Sequence, residues 1–145
     1  MNNDASQELN REQIALGVRQ PWAELLLRGT KSIEVRSRPT NVRGPIYIYT
    51  SKVFATEEFA SDAIAKHEVD IQDCVRGMLI GSIEIEDCRL CVKEDAAFSC
   101  VPWEIMNGKY AWTMRNPKRF AEPVSVRFLP YGIWFYPFKR RNQSR

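Results

Sequence analysis

Seven short segments with the composition of β-strands dominate this sequence, and they do not alternate regularly with helices. Each segment is rich in β-branched or aromatic residues, and clusters of turn-forming residues separate several of them. A doubly wound fold needs strands that alternate with helices, so this pattern favours a mostly antiparallel sheet that closes on itself. The segments are residues 13–18, 31–36, 46–50, 78–87, 110–115, 124–128 and 131–137.

Two or three short helices are expected between these strands. Pro21 and Gly29 frame the first, because proline is tolerated in a first helical turn and glycine commonly ends a helix. A second helix is predicted from Thr56 to about Lys66, since two acidic residues follow the threonine and suit a helix start. A helical turn or loop is expected at 102–103. The predicted fold class is therefore α+β, with a closed, mostly antiparallel barrel.

The length of 145 residues and the 44% content of apolar residues fit a single domain. We expect a disordered leader at 1–12, the domain at 13–138 and a loose basic tail at 139–145. No apolar run approaches the ~18 residues of a membrane span. The polar N-terminus lacks the order of a secretory signal. We therefore expect a cytoplasmic monomer that binds no membrane and keeps its four cysteines reduced.

Positive charge is concentrated in two parts of the chain, although the net charge is only +3. Residues 19–52 hold seven basic and two acidic residues, whereas residues 53–138 hold nine basic and thirteen acidic residues. The tail adds four more basic residues. This distribution suits a polyanionic partner, and a solvated basic face with a loose end is the alternative interpretation.

The segment KSIEVR (31–36) contains charged residues at alternate positions. In a strand, Ser32, Glu34 and Arg36 share one face, and the apolar residues between them share the other. An inward-facing Glu34–Arg36 pair is costly to bury unless the two groups pair with each other or meet a ligand. The alternative is an ion pair on the solvent face of an edge strand. The pattern alone leaves both interpretations open.

Two motifs together resemble the ASCH (activating signal cointegrator homology) domain family. They are RQPW at 19–22, which enters the first helix, and GTKSIEVR at 29–36, which has the GxKxxExR spacing. Three further segments resemble the family in the same order, and the likeness spans about 13–136. These segments are IYIYTSK (46–52), GMLIGSIEIEDC with Glu84, and YAWTMRNPKRFAEPV with Trp112.

The resemblance implies a β-barrel similar to that of PUA domains, which bind RNA, with a ligand cleft at its mouth. RNA or a modified nucleotide is the implied partner, and single-stranded DNA is an alternative. Cationic side chains would meet phosphate or base acceptors, and the tryptophans would stack on bases or pack in the core. Arg115, Lys118 and Arg119 would extend the basic rim or stay on the solvated surface. The implied ligand residues are Arg19, Gln20, Trp22, Lys31, Glu34, Arg36, Ser51, Lys52, Glu84 and Trp112.

A hydrolase is the alternative function implied by the resemblance. Some relatives deacylate acetylated cytidine with a threonine nucleophile, a lysine and a glutamate. Lys31 and Glu84 occupy the lysine and glutamate positions, but the threonine position holds Glu34. A carboxylate does not replace a hydroxyl nucleophile, although Lys31 with Glu34 or Glu84 could activate a water. A ribonuclease using the same residues is a further alternative.

Metal and cofactor sites are not expected. Cys88 and Cys91 form half of a zinc pattern, and no second pair follows. The acidic residues Glu84, Glu86 and Asp87 could bind Mg²⁺ in a nuclease, but an acidic strand end more commonly faces solvent.

Overall fold

A computed structural model describes residues 8–140 of the chain. The disordered leader predicted at 1–12 and the basic tail predicted at 139–145 lie partly outside the described residues. Within the described part, the start and the end of the domain contact each other. The ammonium group of Lys139 lies 3.0 Å from the carboxylate of Glu12, and the guanidinium of Arg11 lies over the ring of Phe138.

The described residues form one mixed sheet of six strands in the order β2-β5-β4-β3-β1-β6. β1 and β3 are parallel, and every other neighbouring pair is antiparallel. The α+β class and the mainly antiparallel pairing are confirmed. The strands are β1 (Ala15–Val18), β2 (Ile33–Arg36), β3 (Gly44–Thr50), β4 (Leu79–Leu90), β5 (Tyr110–Val124) and β6 (Trp134–Phe135).

The predicted closure into a barrel is only partly supported, because the ladder of backbone hydrogen bonds ends at β2 on one side and at β6 on the other. The two ends nevertheless meet through side chains. Arg36 of β2 donates a hydrogen bond to the carbonyl of Gly17 in β1. Trp112 of β5 stacks on Trp134 of β6, with ring centroids 5.8 Å apart. We call this meeting of the two sheet ends the sheet junction.

Four short α-helices and one 3₁₀ turn lie between the strands. The first helix ends at Gly29, whose φ of 80° lies in the left-handed region that glycine adopts without strain. The first two helices confirm the predictions from the sequence, and the fourth lies at the predicted turn. The helices are α1 (Trp22–Arg28), α2 (Glu58–Lys66), α3 (Ala96–Ser99) and α4 (Trp103–Met106), and the 3₁₀ turn spans Lys93–Asp95.

The C-terminal strands differ from the prediction. β5 continues through two prolines to Val124, and its pairing with β4 shifts register three times. The predicted strand at 124–128 is wrong, because only its first residue belongs to a strand. The backbone N–H groups of Arg127 and Phe128 instead both donate to the carbonyl of Pro137. The predicted strand at 131–137 shortens to the two residues of β6.

The main core lies between α1 and one face of the sheet. Leu26 and Leu27 of α1 pack with Ile83 and Ile85 of β4 and with Trp112. This packing holds α1 against β4 and β5. Within residues 8–140, no helix is long and apolar enough to cross a membrane.

Candidate functional site

The start of α1 is held by Gln20. Its side-chain carbonyl accepts the N–H of Glu24, and its amide group donates to the carbonyl of Val75. Gln20 is 1% exposed, so its amide is used within the protein. A helix N-terminus has unpaired N–H groups that such an acceptor satisfies. These two hydrogen bonds of Gln20 hold the backbone in place on both sides of this residue, and so they fix the positions of Arg19 and Trp22.

Lys31 is fully buried beneath the candidate site. Its ammonium group donates to the carbonyl of Ser99 at 2.6 Å, lies 3.6 Å from the carboxylate of Glu34, and lies 5.0 Å from the ring centre of Trp22. Burial lowers the pKa of Lys31, and the Glu34 carboxylate opposes part of this change. The position of Lys31 depends on α3, which supplies Ser99.

Glu34 lies at the centre of a buried charge cluster of Lys31, Glu34 and Arg36. One carboxylate oxygen accepts from the Arg36 guanidinium at 2.8 Å, and the other faces Lys31. Burial alone would raise the pKa of Glu34, but the two cations outweigh it and the pKa is lowered. Glu34 is 5% exposed, so the inward-facing interpretation of the KSIEVR strand is the one observed.

Arg36 connects this charge cluster to the sheet junction. Besides Glu34, its guanidinium contacts the carbonyl of Gly17 at 3.1 Å and lies over the ring of Trp112 at 5.4 Å. Glu34 and Trp112 are direct neighbours across β2 and β5, so their side chains share one face of the sheet. The register of this strand pair therefore brings the charged groups to the sheet junction.

A cleft of about 620 Å³ opens above the charge cluster. That volume suits a ligand of nucleotide size. One side of the cleft is basic and the other is apolar. The lining residues are Gly17, Arg19, Trp22, Glu34, Val35, Arg36, Tyr49, Ser51, Lys52, Val53, Leu129, Pro130, Gly132 and Ile133.

A smaller pocket of about 170 Å³ adjoins the cleft on the other side of Trp22 and Glu34. Lys31 and Lys109 contribute its basic groups, and Phe59 of α2 stacks on Trp22 with ring centroids 5.9 Å apart. The Trp22 ring thus separates the two spaces and is packed on one face.

Six of the ten predicted ligand residues line the cleft. Gln20 and Lys31 lie beneath it and hold its walls. The six lining residues are Arg19, Trp22, Glu34, Arg36, Ser51 and Lys52.

Trp112 and Glu84 are placed elsewhere. Trp112 is 1% exposed, stacks on Trp134 and donates its indole N–H to the carbonyl of Arg38, so it packs in the core. Glu84 points away from the core residues Ile83 and Ile85, and its carboxylate pairs with Arg115. Neither side chain is among those lining the cleft.

The basic rim expected on β5 is also placed away from the cleft. Arg115 pairs with Glu84 and Glu86, and Arg119 makes a two-bond contact with Glu24 of α1. These arginines connect α1 and β4 to β5.

Sequence reasoning missed the apolar side of the cleft, which is formed by Leu129, Pro130, Gly132 and Ile133. Leu129 is 67% exposed and Ile133 is 52% exposed. The aromatic composition of this segment predicts strands, and nothing in its local pattern indicates that it faces 17–19. Only the tertiary fold provides that information.

No group of three or more potential metal ligands of the His, Cys, Asp or Glu type occurs within residues 8–140. The four cysteines are free. Cys88 accepts a hydrogen bond from the backbone of Thr40, and burial raises the pKa of Cys91.

Comparison with known proteins identifies the family. Residues 16–124 match the family described as ASCH domain. The chain belongs to the ASCH domain family. The match includes the segments that form the buried charge cluster and much of the cleft. The family is PUA-like and is associated with RNA binding.

Curated ASCH relatives are much longer than this chain. Activating signal cointegrator 1 is 34% identical in Homo sapiens and 26% identical in Mus musculus, each over 126 residues. These alignments cover 82% of this chain but 21% of each relative. The chain thus spans about a fifth of the curated relatives it matches.

Solved ASCH structures share the fold. The crystal structure of ASCH from Zymomonas mobilis superposes with a TM-score of 0.56 and 15% identity, and 88% of each chain is covered. A serine-to-alanine mutant of that protein gives a TM-score of 0.55 with 15% identity, covering 87% of this chain and 88% of that chain. At this identity the likeness concerns the fold alone.

Proposed function

We propose that this ASCH domain binds single-stranded RNA, or a nucleotide, in the cleft above the buried charge cluster. The observation that carries the proposal is the composition of the cleft, in which Arg19, Arg36 and Lys52 stand opposite an apolar wall. A nucleotide needs both surfaces, since its phosphate is anionic and its base is flat and largely apolar. The association of the family with RNA binding supports the same conclusion.

The dimensions of the cleft favour an unpaired base over a duplex. A cleft of about 620 Å³ admits one nucleotide, whereas the bases of a duplex are stacked and paired. Trp22 lines the cleft and provides aromatic surface, and its ring stacks against Phe59. Single-stranded DNA satisfies most of these contacts and is the first competitor to test.

Fluorescence anisotropy with a labelled single-stranded RNA of about eight nucleotides tests the proposal. Arg19→Ala and Lys52→Ala remove exposed cations of the cleft, so we expect each to weaken binding about fivefold, as for an exposed ion pair. Lys118→Ala is the matched control, because it removes an exposed cation outside the cleft. Wild-type affinity in both cleft variants, or an equal loss in the control, would refute the cleft as the binding site.

A hydrolase acting on acetylated cytidine is the second candidate. The observation that favours it is a buried lysine with a lowered pKa, 3.6 Å from the Glu34 carboxylate and at the wall of the smaller pocket. Glu84 is not among the residues lining this pocket, so Lys31 and Glu34 would have to activate a water without it. Glu34 offers no hydroxyl for an acyl-enzyme.

Incubation of the protein with acetylcytidine tests this candidate, and we expect turnover to be absent or very slow. Lys31→Ala, Glu34→Ala and Glu84→Ala are measured beside the wild type. Robust turnover by the wild type that Lys31→Ala abolishes would make the hydrolase the first function.

A further inference from the structure

We propose that the cleft selects guanine among the nucleobases, through the paired side chains of Glu34 and Arg36. This inference rests on the proposed nucleotide binding in the cleft and names its ligand class. It depends on the hydrogen-bonding groups that these two side chains present side by side at the inner end of the cleft.

Glu34 presents an acceptor pair. Its pKa is lowered, so the side chain is a carboxylate at neutral pH, and a carboxylate only accepts hydrogen bonds. One oxygen accepts from Arg36 and the other faces Lys31, yet two carboxylate oxygens have about four acceptor positions in total. Acceptor capacity therefore remains where Glu34 lines the cleft. A ligand that places two neighbouring N–H groups there satisfies both oxygens.

Arg36 presents donors beside this acceptor pair. A guanidinium has five N–H donors. Within the described chain, one nitrogen donates to Glu34 and another donates to the carbonyl of Gly17. Arg36 also lines the cleft, and its remaining N–H groups suit an acceptor on a ligand. Glu34 and Arg36 together therefore present two acceptors next to a donor.

Guanine has the complementary edge. Its ring N1–H and its exocyclic amino group are neighbouring donors, and its carbonyl oxygen O6 is an acceptor on the other side of N1. Adenine and cytosine place a ring acceptor next to their single amino group, and uracil places one N–H between two carbonyls. None of these three bases offers two neighbouring donors to a carboxylate. A mismatched base would leave the buried carboxylate facing an acceptor, which is costly.

The burial gradient of the cleft sets the direction of the nucleotide. Glu34 is 5% exposed at the inner end, whereas Arg19 and Lys52 are exposed at the mouth. The base therefore points inward, between the charged pair and the apolar wall of Leu129 and Ile133. The phosphate then lies at the mouth, where two cations remain in contact with solvent.

Calorimetric titration of the wild-type chain with GMP, IMP, AMP, CMP and UMP tests the inference without any substitution. IMP differs from GMP only by the missing amino group, so it loses one hydrogen bond to a charged acceptor. We expect IMP to bind roughly tenfold more weakly than GMP. We expect the other three nucleotides to bind more weakly still. Equal affinities for GMP and IMP, or tighter binding of AMP, would overturn the guanine inference.

The same titration separates the two proposals. If all five nucleotides bind with equal affinity and Arg19→Ala weakens each of them, the proposed function holds and the guanine inference fails. If no nucleotide and no RNA binds, the proposed function itself fails and the inference fails with it.

Glu34→Gln provides a second measurement. The amide replaces one acceptor oxygen by a donor group, so the preference for GMP over IMP should fall to near unity. Glu24→Gln is the matched control, because Glu24 also pairs with two basic side chains but lies outside the cleft. It should keep the wild-type preference. Circular dichroism tests whether both variants are folded. If Glu34→Gln does not fold, the comparison of GMP with IMP on the wild-type chain decides the guanine inference alone.

Discussion

Lys31 illustrates how a residue in a ligand motif can also be held by contacts that belong to the fold. The GxKxxExR spacing indicates a cation near the site, but the ammonium group is fully buried and is held by the Ser99 carbonyl and the Glu34 carboxylate. The burial could not be predicted from the sequence, because Ser99 lies 68 positions away along the chain. Trp112 is similar, since its packing partner Trp134 comes from another strand.

Lys31→Ala should lower the free energy of unfolding by about 3 kcal/mol, since it leaves the buried Ser99 carbonyl and one buried oxygen of the Glu34 carboxylate without their cationic partner. Urea denaturation followed by circular dichroism measures the change. Lys52→Ala is the control, and because this side chain is exposed we expect a change within about 0.5 kcal/mol. Equal stabilities for the two variants would contradict the structural role of Lys31.

The lowered pKa of Glu34 makes the free energy of unfolding depend on pH. In the unfolded chain this group has its ordinary pKa of 4.5, and in the folded protein the pKa is lower. Between these two values the unfolded state binds more protons, so the free energy of unfolding decreases as the pH falls below 4.5. Urea denaturation at several pH values measures this slope. Glu34→Gln should show a shallower slope, and an unchanged slope would contradict the assignment.

At the scale of elements, the sequence predicted the parts whose local pattern agrees with the fold. The α1 helix between Pro21 and Gly29 was predicted from local signals alone. β5 was predicted too short, because Pro117 and Pro123 indicate breaks that the observed strand accommodates with register shifts against β4. β6 has two residues and depends on β1 for its pairing, so no local signal specifies its bounds.

The close packing of α1 against the β4–β5 pair requires Gly81. A methyl group there would overlap the carbonyl of Lys118 and would lie 2.5 Å from a methyl carbon of Leu27. Gly81→Ala should therefore destabilise the protein by about 1–3 kcal/mol in thermal or urea unfolding. Gly132→Ala is the control, since its nearest neighbour would be at an ordinary 3.8 Å. A Gly81→Ala variant as stable as this control would show that α1, β4 and β5 can move apart to admit a methyl group without loss of stability.

At the scale of the whole molecule, positive charge is distributed between the cleft and the tail. Arg19, Arg36 and Lys52 surround the cleft. The tail residues 141–145 add two arginines outside the described residues. The rest of the domain carries an excess of acidic residues. We therefore expect electrostatic attraction of RNA to depend on these two regions.

The salt dependence of RNA binding measures this contribution. Each phosphate contact with a single strand contributes about 0.7 to the slope of log affinity against log salt. The two cations at the mouth of the cleft, Arg19 and Lys52, therefore give a slope of about −1.4, and Arg19→Ala should reduce its magnitude by about 0.7. For a longer RNA, deletion of 141–145 should reduce the slope further. Slopes that neither change affects would contradict the proposed contacts.

The sheet junction means that the walls of the cleft come from opposite ends of an open sheet. Glu34 and Arg36 belong to β2, whereas Gly17 belongs to β1, whose other neighbour is the edge strand β6. A molecule held in the cleft therefore contacts both ends of the sheet across the sheet junction, where no backbone hydrogen bonds of the described residues join β2 to β1. Because it binds only when these two ends are in contact, it stabilises that contact by mass action. Backbone amides of β2 and β6 should then exchange with deuterated solvent more slowly when the cleft is occupied, although no new backbone pair forms.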